Sequence, residues 1–180
     1  MKMESWQYER GGKSITIREA DPADAGMLSE IRLQIDGETE NLDREQGEAY
    51  MDAAGFEELI LNDAANLKHL FLVAEIDGRL AGFSRCEGTS LKRLSHQVEF
   101  GIGVLQEYWG VGIGSQLLAA SIHWAETSGI RKITLKVLET NHKAIALYQK
   151  LGFEEEGLLK NDKLLSDGKF YHTVVMGRWS

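Results

Sequence analysis

Residues 98–115 read VEFGIGVLQEYWGVGIGS, and their order of residue types decides how the rest of the chain is organised. Val98, Phe100, Ile102 and Val104 alternate with Glu99, Gly101 and Gly103, the period of two expected of a strand. After a short connector come Gly110, Gly112 and Gly114, while Ile113, Leu117, Ala120 and Trp124 recur at helical spacing. The stretch reads as a strand, a glycine-rich turn and the start of a helix. The first turn of such a helix offers unpaired N–H groups and the positive end of the helix dipole. Glycines there let the backbone bend and let an anion approach with no Cβ in the way. A phosphate or pyrophosphate is the natural ligand. Gly101 and Gly103, inside the strand, mark either a kink or the close approach of a ligand.

Several readings of the glycines compete. A P-loop needs Lys and then Ser or Thr after its last glycine, and Gly114 is followed by Ser115-Gln116, so that reading fails. A dinucleotide fingerprint needs G-x-G-x-x-G directly after the strand. Here the pattern is G-x-G-x-G, set back from the strand, although Glu139 ends the next strand where a ribose partner could lie. A pyrophosphate loop for an acyl-coenzyme A and a plain helix-capping turn both fit the spacing.

A second motif lies downstream. Residues 141–153 read NHKAIALYQKLGF. Asn141 and Tyr148 are nearly two helical turns apart, so they share a face about 10 Å apart along the axis, with Ile145 between them. An isolated helix of this kind would use the Asn as a cap and the Tyr as a core residue. Together with residues 98–115, however, the motif resembles the GNAT superfamily of N-acetyltransferases, and the resemblance runs from Ile15 to Trp179. It implies a single α+β domain over 14–180, with 1–13 as an N-terminal extension. It also implies a mixed, mostly antiparallel, splayed sheet of about seven strands flanked by about four helices.

The resemblance also implies the site. The backbone from Trp109 through Gly110, Val111, Gly112, Ile113, Gly114 and Ser115 would wrap the pyrophosphate of acetyl-CoA, and Asn141 would contact the coenzyme. The family most often has Arg or Gln near position 109; Trp109 stands there instead, so the cradle is expected from backbone rather than from that side chain. The pantetheine arm would lie against the backbone of Ile102 and Val104, where two strands splay apart. Tyr148 would protonate the departing thiolate, and Val104 N–H would meet the oxyanion. Glu99, on the strand lining the thioester, is the expected base, with a solvated strand carboxylate as its other reading. His96 is a weaker candidate. The function implied is acetyl transfer to a primary amine of a small molecule. A ribosomal-protein-type N-terminal acetyltransferase and a non-catalytic acyl-CoA-binding sensor are the alternatives. The expected partners are a small-molecule or peptide amine and, for assembly, a homodimer.

Composition fits one soluble domain: 180 residues, 43% hydrophobic and 27% charged. The net charge of -8 argues against an electrostatic hold on nucleic acid or anionic lipid. Only one cysteine, Cys86, is present, so no internal disulfide forms, and a cytoplasmic location is expected. Cys86 reads as a packed side chain, and the histidines lack metal-ligand spacing, so no metal is expected. Asp21-Pro22 starts a helix, with a second expected over 47–62. Asp77-Gly78 and Asp167-Gly168 mark hairpins, Gly129 ends the helix after the glycine turn, and Gly11-Gly12 marks a boundary. The carboxylate-rich segment 36–48 points to a cationic or polar acceptor, or to a solvated loop.

Overall fold

The computed structural model describes residues 3–180; Met1 and Lys2, at the head of the expected extension, lie outside the described residues. The chain runs β1 (Trp6–Arg10), β2 (Lys13–Glu19), α1 (Ala25–Glu38), α2 (Ala53–Ala64), β3 (Leu70–Ile76), β4 (Arg79–Gly88), β5 (Gln97–Val104), α3 (Ile113–Thr127), β6 (Lys132–Leu138), α4 (His142–Lys150), β7 (Glu154–Leu164) and β8 (Phe170–Trp179). The strands form one eight-stranded sheet in the order β1-β2-β3-β4-β5-β6-β8-β7. All neighbours are antiparallel except β5 and β6, which are parallel because α3 carries the chain across between them.

Local chemistry explains most boundaries. Asp21 accepts a hydrogen bond from Ala23 N–H while Asp24 accepts from Asp21 N–H, and Pro22 follows, so a single 3-10 turn leads into α1. At the β3–β4 turn Asp77 and Gly78 both take positive φ (51° and 76°), the geometry of a two-residue hairpin. At the end of α3, Gly129 has φ 75° and Ile130 N–H reaches back to Ala125 O at 2.8 Å, closing a Schellman cap.

Two expectations differ from what is observed. Gly11-Gly12, expected as a boundary, is the turn of the β1–β2 hairpin, with Arg10 opposite Lys13. The described part of the extension thus adds an eighth strand to the same sheet. The second helix begins at Ala53 rather than near Gly47, because Gly47 and Ala49 adopt left-handed conformations (φ 91° and 46°) that break helical propagation. Asp52 then caps α2 through Gly55 N–H at 2.8 Å.

The helices cover both faces of the sheet. A Cβ on Gly103 would meet Ile35 of α1, whereas Gly114 of α3 lies against Ile102, and neighbouring strand residues point to opposite faces. Ile15, Ile17, Leu72, Ile133 and Leu135 are wholly or almost wholly buried between these layers. Cys86 belongs to the same core; burial pushes its thiol up to about 12, which leaves it inert as a nucleophile. No helix among the described residues is long and apolar enough to cross a membrane.

Candidate active site

β5 and β6 are paired over three rungs only, Gln97–Lys132, Val98–Ile133 and Glu99–Thr134, and then separate. On its other edge β5 stays paired with β4 up to Val104 opposite Gly82. Leu105 N–H continues that ladder by donating to Ala81 O at 2.9 Å. Backbone groups alternate along a strand, so the N–H groups of Ile102 and Val104 face away from β4 and into the gap. The indole Nε1–H of Trp109 donates to Val104 O at 2.9 Å. Trp109 therefore occupies the last carbonyl of the open edge, and Val104 presents only its N–H there. Among the described residues this is the one polar contact that the Trp109 side chain makes, and it goes to the strand.

Beyond Trp109 the chain turns through Gly110 and Gly112, with φ 84° and 81°, conformations that side chains with a Cβ rarely adopt. Gly112 is the N-cap of α3 and supplies no side chain to it. No described residue accepts a hydrogen bond from the backbone N–H of Gly110, Val111, Gly112, Ile113, Gly114 or Ser115. Six consecutive donors at the positive end of a 15-residue helix fit a diphosphate. The loop is braced from outside: Tyr8 Oη–H donates to Val111 O at 3.1 Å, and Trp6 Nε1–H to Gln116 Oε1 at 3.4 Å.

Opposite this loop, α4 starts where β6 ends, at the splayed side of the gap. Asn141 caps it, its Oδ1 accepting from Ala144 N–H at 3.3 Å. The capping role open to it in the sequence is realised, and the NH2 group has no acceptor among the described residues. Tyr148 is 8% exposed and its ring is tilted on Phe153, with centroids 5.9 Å apart. Burial raises its phenol from 10.0 to about 12, so the hydroxyl holds its proton throughout the neutral range.

A cleft of about 990 Å³ lies between the segment 36–46 and the residues 162–166 that lead into the β7–β8 turn. Three of the acidic side chains on its wall are paired with the protein. Asp36 holds Arg44 (2.9 and 3.2 Å), Asp43 pairs with Lys163, and Glu40 accepts from Ser166 N–H at 3.0 Å. Glu38 differs. Its Oε2 accepts from Gln106 N–H at 3.1 Å, two residues beyond Val104, while its Oε1 is buried with no partner. Sequence reading named Glu38 only as part of an acidic loop, and the pairing that singles it out is tertiary.

Glu99 stands on the last rung shared by β5 and β6, facing Glu87 across β4. It is five residue steps along the strand from Val104, about 17 Å at the usual rise, so no direct hydrogen bond links the two positions. His96 lies further toward the paired end, edge-on to Trp179.

The acetyltransferase (GNAT) family model matches residues 36–153. An N-alpha-acetyltransferase of Sulfurisphaera tokodaii is 39% identical over 100 residues, covering 51% of this chain and 60% of that protein. The L-amino acid N-acetyltransferase AaaT of Escherichia coli is 33% identical over 119 residues, covering 66% of this chain and 72% of that one. A crystal structure of a GNAT-family acetyltransferase from Streptococcus pneumoniae superimposes with a TM-score of 0.89 at 31% identity, covering 92% of this chain and 99% of that chain.

Proposed function

The chain belongs to the acetyltransferase (GNAT) family, and on that premise we propose that it transfers the acetyl group of acetyl-CoA directly to a primary amine of a small molecule. The observation that carries this reading is the open edge of β5 ending beside six unpaired N–H donors at the start of α3. Acetyl-CoA, when bound, supplies the activated acyl group. The N–H groups of 110–115 hold its diphosphate. The N–H of Ile102 would pair with an amide carbonyl of its pantetheine arm, the N–H of Val104 would face the thioester carbonyl, and Asn141 would reach the arm from α4.

The chain's own groups then divide the proton traffic. An ammonium has no lone pair, so a base must act first. Glu38 is held beside the end of β5 by Gln106 N–H, and its Oε1, which has no partner among the described residues, accepts from the incoming amine. Glu99 can take that proton only through intervening water. Val104 N–H donates to the carbonyl oxygen as negative charge develops on it. The Tyr148 hydroxyl holds the proton that the departing sulfur needs.

α-Amino groups head the list of acceptors, because the names of both curated relatives concern N-α or amino-acid acetylation. Free amino acids and short peptides with unblocked N-termini separate the small-molecule reading from the protein N-terminal one. Within that panel, Glu38→Gln raises the KM of the best amine about 10-fold or more, the scale of a hydrogen bond to a charged group, and leaves CoA affinity unchanged. Glu99→Gln has a smaller effect. Unchanged amine kinetics in Glu38→Gln would remove Glu38 from the acceptor site.

A further inference from the structure

From Leu105 to Ile122 the chain contains no basic side chain; its one charged residue there is Glu107. A diphosphate on this loop would meet backbone donors but no cation from the loop itself. The β1–β2 hairpin lies directly against it. Besides the Tyr8 and Trp6 hydrogen bonds, Lys13 Nζ sits 4.9 Å over the Tyr108 ring, and Gly11 packs toward Val111. Arg10 completes this row. A Cβ on Gly112 would lie 2.7 Å from Arg10 Nη1, so the guanidinium covers the N-cap of α3. Arg10 is exposed, and no described residue forms an ion pair or hydrogen bond with its side chain.

A guanidinium beside a row of N–H donors repels them in isolation, since both carry positive charge. An anion held by both reverses the sign, and a planar guanidinium matches two phosphate oxygens at once. We propose that Arg10, delivered by the N-terminal hairpin, is the side-chain ligand of the coenzyme's phosphate groups. This rests on the reading of the loop as a coenzyme cradle. Residues 6–13 are then part of the binding site. Tyr8 and Trp6 fix the hairpin on the loop, and Arg10 supplies the cation that position 109 does not.

Calorimetry with CoA on the full chain tests this, comparing wild type, Arg10→Gln, Arg10→Lys and, as a control for net charge, Arg79→Gln. The expected result is a Kd for CoA about 10-fold higher or more in Arg10→Gln, partly restored in Arg10→Lys and unchanged in Arg79→Gln. The salt dependence of binding should also become shallower in Arg10→Gln. Melting temperatures report folding separately. A Kd in Arg10→Gln equal to that of wild type, with or without a change in melting temperature, overturns the proposal and leaves the acetyltransferase reading intact. An equal loss in Arg79→Gln overturns it as well, by reducing the effect to net charge. A wild-type protein that does not bind CoA overturns both.

Discussion

Tyr148→Phe lowers kcat by about 100-fold or more, the range of general acid catalysis, and leaves acetyl-CoA affinity nearly unchanged. The substitution keeps the ring on Phe153 and deletes one oxygen. That oxygen has no hydrogen-bond partner among the described residues, so its loss leaves no donor or acceptor stranded, and the melting temperature holds or rises. A fall in melting temperature with kcat intact would instead make the hydroxyl a structural element. The pH dependence follows from the same burial. Burial disfavours phenolate, moving the proton loss from 10.0 to about 12. The acid therefore stays charged with its proton, and the rate shows no descending limb up to about pH 10, the ordinary tyrosine value. Stability carries the matching sign. The unfolded chain releases this proton near 10.0 and the folded chain near 12, so the group's contribution is whole below that interval and is lost as pH rises across it.

Gly112→Val abolishes tight coenzyme binding. Two physical terms act together. A β-branched residue at φ 81° is strained whatever surrounds it. Its Cβ would also stand 2.7 Å from Arg10 Nη1, in the space between guanidinium and backbone donors where the phosphates are placed. The expected loss in calorimetric affinity for CoA is on the order of 100-fold, above that of removing Arg10 alone because backbone donors are misaligned as well. α3 is anchored by Ile113, Leu117 and Leu118 in the core, so the fold survives the change. Wild-type affinity in a folded Gly112→Val variant would take the phosphates off this loop.

Local chemistry made much of the architecture legible. Asp77-Gly78, Asp21-Pro22 and Gly129 each carry a backbone requirement in the residue itself, and each sits where that requirement predicts. The splay of β5 from β6 was readable only through the resemblance, since no residue in either strand encodes a gap. β1 is hard to read from sequence although Trp6, Tyr8 and Arg10 alternate with Gln7 and Glu9. It is an edge strand with its aromatic rings only half-buried, so the apolar signal is weak and the double glycine dominates it. The consequence for the site is large, because Arg10 and Tyr8 then read as part of an extension. Glu38 was hidden for another reason. Its neighbours Asp36, Glu40 and Asp43 look alike in sequence, and only their tertiary partners show which carboxylate oxygen is left over. Trp109 presents the same limit: its hydrogen bond to Val104 O depends on how the chain folds back over the strand end.

An open strand edge beside a protonated Tyr148 hydroxyl calls for turnover, as opposed to binding alone. Incubating the wild-type protein with acetyl-CoA and a panel of α-amines, while following free thiol and acetylated amine together, tests it most directly. Thiol release is expected to require the amine, to match the acetylated product mole for mole, and to collapse in Tyr148→Phe. Tight acetyl-CoA binding with no amine-dependent thiol release across the panel would contradict it and make the domain a coenzyme sensor.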